Sequence, residues 1–154
     1  MSPTTIQYTS EQARSFADVS PEAWRHWRKV IPCLAAKSGK GARFTAGELV
    51  ALAALSSAVR TLDIGIAKFA SRWDDLFVLC AQHSAGALRS VVIVVTADSL
   101  ELAVAGLSLA ELPAIVIPCA PIVNRLSDAA LSPGIAQAQI PLPFAPQAVG
   151  RKRQ

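Results

Sequence analysis

The stretch SPEAWRHWRKVIP, residues 20–32, decides the fold of the N-terminal half and raises the question of what its basic side faces. Ser20 is a preferred helix-capping residue, Pro21 takes the favoured first helical position, and Pro32 ends the helix. At 100° per residue the helix has one apolar and one basic face. The apolar face holds Ala23, Trp24, Trp27, Val30 and Ile31; the other holds Glu22, Arg25, His26 and Lys29, with Arg28 at the border.

The segments on either side predict three further elements. A short helix running from Thr9 or Ser10 to Ala17 and the turn DVSPE precede the stretch. The segment AAKSGKGARFT follows it, is rich in glycine and lysine, and predicts a hairpin-like loop that ends in a short extended piece. Thr45 and Glu48 have capping-box spacing for a helix that begins near Ala46. Because ELVALAALSSAVRTL is apolar nearly all round, we expect this helix to be central.

The second half of the chain contains one more predicted helix and then segments with the residue pattern of strands. Apolar residues spaced by three and four between Ile66 and Cys80 predict one more amphipathic helix. The runs SVVIVVT and PAIVIPC are typical of buried strands. The intervening ADSLELAVAGLSLAEL is compatible with a helix or with a strand plus a turn, and APIVNRLSDAAL predicts a last short helix.

Composition and charge indicate a globular protein with a polyanion partner. At 154 residues, with 52% hydrophobic and 17% charged residues, the chain can build the core of one domain or of a module with an appendage. Residues 22–45 carry six basic residues against one acidic residue, a local net charge of +5. Residues 82–150 carry only two basic residues against four acidic ones. A polyanion is therefore expected to dock on the N-terminal half.

Several classes of protein are disfavoured by what the sequence lacks. Its three cysteines are far apart and form no C-x-x-C pair, so we expect no metal site. No G-x-S-x-G, H-E-x-x-H or P-loop motif occurs, and the adjacent Asp74 and Asp75 are expected to be surface charge. We therefore predict no catalytic residue and no cofactor. No secretory signal or membrane-spanning run is evident, which predicts a cytoplasmic, nucleoid-associated protein without a membrane partner.

Residues 8–62 resemble, in divergent form, the DNA-binding domain of the MerR (mercury-resistance regulator) family. The segment YTSEQARSFADVSPEAWRHWRKVIP…KSGKGARFTAGELVAL carries the resemblance. Val19, Ser20 and Pro21 match the family's turn, and Arg25 falls on its arginine. The other matches are Trp24 at the core leucine, His26 and Trp27 at two aromatic positions, Gly41 and Arg43 in the wing, and Phe44 and Leu49 at its apolar anchors. The resemblance implies a winged helix-turn-helix, with helix Pro21–Ile31 in the major groove and wing Lys37–Arg43 on the DNA backbone.

The residue types agree with that implication. Arg25 and Lys29, one turn apart, can meet phosphates beside a groove, and an arginine can also pair bidentately with a guanine edge. His26 can donate to a phosphate or a base, and lysines on a glycine-hinged loop can follow the backbone of the minor groove. The predicted DNA-binding residues are Ser20, Arg25, His26, Arg28, Lys29, Lys37, Lys40 and Arg43.

The sequence therefore predicts a mainly α winged helix-turn-helix module followed by a small α/β portion. We expect a flexible leader over residues 1–7, the DNA-binding module over 8–83, an α/β dimerisation or sensing region over 84–131, and a Pro-rich tail with a basic end over 132–154. The predicted function is sequence-specific binding of double-stranded DNA, as a homodimeric transcriptional regulator of bacterial or phage type. Two alternatives remain: an adaptor that binds RNA polymerase or another regulatory protein, and a small-ligand sensor with a pocket among Trp73, Phe77, Cys80 and the strands.

Overall fold

Helices make up most of the structure, a computed structural model that describes residues 6–104 and 112–131. The predicted Pro-rich tail and most of the predicted leader lie outside the described residues. The helices are α1 (Ser10–Ala17), α2 (Pro21–Val30), α3 (Pro32–Ala36), α4 (Ala46–Leu62), α5 (Ala70–Ala81), α6 (Ala85–Leu88) and α7 (Ala120–Leu131), with a 3-10 turn at Ile66–Phe69. The strands are β1 (Tyr8–Thr9), β2 (Arg43–Phe44), β3 (Val91–Val95), β4 (Leu100–Val104) and β5 (Ile115–Pro118).

The first two helices are joined by a tight turn, as the sequence predicts. Thr9 and Gln12 form a capping box at the start of α1, and α1 ends at Asp18, which adopts the left-handed conformation with φ 55°. The hydroxyl of Ser20 accepts a hydrogen bond from the backbone N–H of Ala23 at 3.1 Å, which caps α2. The predicted turn between α1 and α2, and the capping of α2 by Ser20, are therefore confirmed.

Helix α4 is central, as its apolar sequence predicts. Thr45 and Glu48 form the expected capping box at its N-terminus. From Leu49 to Ser56 every residue of the helix is buried. Neighbours on several sides cover it, because it packs against α1, α5, α6 and α7. An all-round apolar helix needs such a position to keep its surface from water.

Helix α3 is a difference from the sequence prediction, which gave Pro32 only as a stop and expected a loop after it. Pro32 does end α2, but it also starts five residues of helix. The backbone N–H of Cys33 donates to Oδ1 of Asp74 at 2.8 Å, so α5 supplies the cap that α3 lacks locally. The prediction that Asp74 is surface charge is therefore wrong, whereas Asp75 is exposed and pairs with Arg72 at 3.1 Å.

The second half contains a three-stranded antiparallel sheet in the order β4-β3-β5. Strands β3 and β5 are the two predicted apolar runs. The stretch between them, which the sequence left open between helix and strand, provides β4 after a tight turn in which Thr96 N–H donates to Ser99 O at 2.9 Å. The predicted last helix is α7. The chain is thus mainly α with a small sheet, and the sheet is antiparallel throughout its described strands.

The helical half and the sheet share one hydrophobic core. The contiguous cluster of buried residues runs from Tyr8 on β1 through α4 to Ile93 on β3 and Leu126 on α7. Trp73 on α5 is among its largest fully buried side chains. The orientation of α2 is therefore fixed by packing that extends across the described chain.

Candidate nucleic-acid interface

Helix α2 presents the basic face that its sequence predicts. Trp24 and Trp27 are 6% and 5% exposed and belong to the core, whereas Arg25, His26 and Lys29 are exposed on the opposite side. The helix is ten residues long and two of its last residues are basic, which complements the negative end of the helix dipole. Three side chains that can donate hydrogen bonds therefore share one solvent face of one helix.

Two predicted site residues on this segment have a more structural setting. The hydroxyl of Ser20 is engaged in capping α2, although the residue itself is exposed. Arg28 is half-buried, and its Nε has no hydrogen-bond partner among the described residues. We therefore expect Ser20 to position the helix, and Arg28 to reach solvent only with the end of its guanidinium group.

Residues 37–43, called the basic loop below, turn back towards β1 and end in β2. Gly39 adopts φ 85°, a conformation that favours glycine over any residue with a Cβ. Arg43 uses Nη1 to donate to the carbonyl oxygens of Lys40 at 3.1 Å and Ala42 at 2.9 Å. Lys40 itself is exposed. The loop thus has a defined shape, which Arg43 holds from within, and Lys40 carries its charge to solvent.

Lys37 is engaged inside the protein. Its ammonium lies 2.9 Å from Oε1 of Glu48, donates to the carbonyl oxygen of Arg43 at 2.6 Å, and sits 4.9 Å from the centre of the Phe44 ring. The side chains of Lys37 and Glu48 are only 27% and 12% exposed. The sequence predicts Lys37 as a phosphate contact, but this geometry makes it a clamp between the basic loop and the start of α4.

The basic loop is held against α2 by the core. Its last residue, Arg43, begins β2, which pairs with β1 in antiparallel register: Tyr8 opposes Phe44 and Thr9 opposes Arg43. Phe44 is fully buried and its ring centre lies 5.8 Å from that of Trp24 on α2. An aromatic contact of this kind fixes the loop relative to the helix whose opposite face is basic. Sequence reasoning gave Phe44 as an apolar anchor, but no local pattern pointed to the pairing of Glu48 with Lys37.

Other kinds of site receive little support from the described residues. Trp73, Phe77 and Cys80, the predicted lining of a ligand pocket, are packed into the core. Burial raises the pKa of the Cys80 thiol to about 12 and that of Cys119 to about 11. Burial, together with Asp74, raises the pKa of Cys33 to about 12. These thiols therefore stay protonated at neutral pH, which makes them poor nucleophiles.

Within 6–104 and 112–131, no three His, Cys, Asp or Glu side chains lie close enough together to hold a metal ion. No helix in those ranges combines the length and the hydropathy needed to cross a bilayer.

Comparisons with known proteins yield no match: no protein-family model, no curated protein and no solved structure is significantly similar to this chain. The resemblance to the MerR family thus stays a prediction from the residues in 8–62.

Proposed function

We propose that this protein is a sequence-specific DNA-binding regulator of transcription, of bacterial or phage type, that uses α1 and α2 as a helix-turn-helix and the basic loop as a wing. In this proposal α2 enters the major groove of double-stranded DNA, and the loop follows the neighbouring phosphate backbone. The protein acts as a dimer on two half-sites, because a single module of this size covers little DNA.

The observation that carries the proposal is the two-sided character of α2. Its tryptophans are anchored in the core, so the helix cannot turn its basic face inwards. Arg25 and Lys29 lie one helical turn apart on the outer face, with His26 beside them. A rigid helix that displays several donors and positive charge matches the donor and acceptor pattern of base edges and the charge of the flanking phosphates.

The residues of the interface divide into three roles in this proposal. Arg25 reads a base edge, with His26 as a second donor, and Lys29 contacts a phosphate. Lys40 on the basic loop adds affinity for every DNA sequence alike. Supporting contacts come from Arg43, which shapes the loop, and from Lys37, which fastens the loop to α4.

The test is the effect of Arg25→Ala on binding to an operator selected from random duplexes. We expect specific binding to weaken by about 1–3 kcal/mol and the preference at one base position to flatten. Fluorescence anisotropy at several salt concentrations gives the affinity for the operator and the affinity for random duplex. Thermal melting should show an unchanged fold, because the Arg25 side chain is exposed. Arg89→Ala is the matched control, since Arg89 is also an exposed arginine but follows α6 and belongs to neither α2 nor the basic loop.

Failure to select any duplex, with random DNA also unbound at low salt, would overturn the proposal. Equal effects of the Arg25 and Arg89 variants would show a general charge effect and remove Arg25 from base readout. Capture of RNA polymerase or another regulatory protein by the wild type, abolished by Arg25→Ala in the absence of DNA, would favour the adaptor function instead.

A further inference from the structure

The two edges of the three-stranded sheet are protected very differently. Strand β5 is flanked by Pro113 and ends in Pro118, and proline at an edge blocks the pairing of a further strand. Strand β4, with the sequence LELAV, has no proline and no lysine, and Glu101 is its only charge. No described strand other than β3 pairs with β4. An edge without these safeguards is a ready template for another strand.

The ladder shows which backbone groups of β4 face this open edge. Thr96 N–H donates to Ser99 O, so the pair at the turn is a hydrogen-bonded one. Hydrogen-bonded and non-bonded pairs alternate along an antiparallel ladder. Of the residues that follow, Leu100, Leu102 and Val104 fall in the non-bonded pairs. Their N–H and C=O groups therefore point away from β3, towards the open edge.

An apolar groove runs beside the same edge because the helical layer leaves the β4 side of the sheet partly uncovered. The groove has a volume of about 480 Å³. Val78 on α5, at 51% exposure, lines an adjoining cleft that shares Leu79 and Leu100 with the groove. Val104, at 58% exposure, lies opposite Val91 on β3. Its apolar lining includes Leu79, Leu88, Val91, Leu100 and Leu102. The outward backbone groups of β4 and the exposed side chain of Val104 thus have no neighbouring strand among the described residues.

We propose that β4 pairs in antiparallel register with β4 of a second copy of this chain, across a twofold axis at Leu102. The two sheets then join into one sheet of six strands, and the apolar seam buries Leu100, Leu102 and Val104 of both copies. This surface is the dimer contact, and it forms without DNA.

The register at Leu102 follows from self-complementarity. It places Leu102 opposite its own copy and Leu100 opposite Val104, so three pairs with outward groups form about six hydrogen bonds. Glu101 falls opposite Ala103, which avoids facing like charges. A shift that centred the axis on Glu101 would oppose two carboxylates. Strand β4 therefore pairs with a copy of itself more favourably in the register centred on Leu102 than in the register centred on Glu101.

Sedimentation of the full chain over a range of concentrations, without DNA, tests the interface. Val104→Pro removes an N–H that faces the open edge and leaves the bonds to β3 in place. Val116→Pro is the matched control, because Val116 is an exposed valine on the other edge strand, β5, at 44% exposure. It opposes Val94, whose backbone groups bond to β4, so the N–H of Val116 also points away from β3. We expect a wild-type dimer, a dissociation constant raised about tenfold or more by Val104→Pro, and no change with Val116→Pro.

Circular dichroism and thermal melting establish that both variants fold. If Val104→Pro does not fold, Val104→Lys should raise the dissociation constant of the dimer in the same way. The exposed position leaves room for a lysine, and the lysine charge disrupts the apolar seam. In the wild type, hydrogen exchange at the amide of Leu102 should slow as concentration rises.

Three results would overturn the inference. The first is a wild type that is monomeric at every concentration. The second is a dimer that the Val104 variants leave as tight as before. The third is protection of the Leu102 amide in a monomer, which would mean that another segment of the same chain covers the edge. None of these results depends on whether the protein binds DNA.

Discussion

Lys37 and Lys40 lie three residues apart on the basic loop, yet the structure predicts different effects for their replacement by alanine. The ammonium of Lys37 contacts Glu48, the carbonyl oxygen of Arg43 and the Phe44 ring. Lys40 is exposed, and the described structure gives its ammonium no such contacts. Loss of Lys37 should therefore be felt in stability, and loss of Lys40 in binding.

The magnitude for Lys37→Ala follows from its contacts. A hydrogen bond from a charged donor contributes about 1.5–3 kcal/mol, and a partly exposed ion pair adds at most about 1 kcal/mol. Glu48 keeps its position at the positive end of α4 and its bond to Thr45 N–H at 2.7 Å, which offsets part of the loss. We expect the free energy of unfolding to fall by about 1–3 kcal/mol, and Tm by about 3–10 °C.

The assay combines denaturant unfolding with DNA binding over a salt series. Lys40→Ala should leave stability within about 0.5 kcal/mol of the wild type. If Lys40 touches a phosphate, the slope of log K against log salt should become shallower by about 0.9. Wild-type stability for Lys37→Ala would refute the clamp. A shift in salt slope for Lys37→Ala, with stability unchanged, would restore Lys37 as a phosphate contact.

Two further predictions concern the core. Gly47→Ala should lower the free energy of unfolding by about 1–3 kcal/mol in chemical denaturation, because a Cβ there would lie 2.1 Å from the carbonyl oxygen of Cys80 and 2.7 Å from that of His83. A Cβ at Gly65 would meet open space, so Gly65→Ala should be neutral or slightly stabilising. Equal effects of the two substitutions would contradict the close approach of these carbonyl groups to Gly47. The free energy of unfolding should also decline as pH rises above about 9, by on the order of 1 kcal/mol at pH 10 for each of Cys80 and Cys119. Burial raises the pKa of both thiols in the folded protein above the ordinary value of 9.0, so the unfolded chain loses those protons first. A Cys80→Ala, Cys119→Ala double variant with the same alkaline slope would remove the thiols as its cause.

The orientation of α2 could be predicted because its signals are local. A capping serine, a proline at the first position and apolar residues every three or four positions all lie within eleven residues of one another. The same holds for the capping box at Thr45 and for the β-branched run of β3. In each case neighbouring residues alone decide which side chains can be buried and where a helix begins.

What could not be predicted depends on partners distant in sequence. The N-terminus of α3 is satisfied by Asp74, 41 residues beyond the Cys33 N–H that it accepts from. Its five residues show too little periodicity to indicate a helix on their own. Lys37 looks like any lysine in a glycine-rich loop until the fold brings Glu48 and Phe44 beside it. A charge pattern predicts where positive residues are, but tertiary contacts decide which of them remain available to a ligand.

The shared core gives the two proposals a physical connection. If β4 lies on a dimer axis and α2 meets DNA, the distance between the two copies of α2 is set by the packing that separates them. That packing runs from β3 through α6, α4, α5 and α3 to α2, and its buried residues form one hydrophobic cluster. Close-packed interiors deform little, so the two copies of α2 would have a fixed separation. A dimer built in this way would require a fixed spacing of half-sites on DNA. Both copies of α2 can enter the major groove on the same side of the duplex only if the half-sites are separated by a whole number of helical turns.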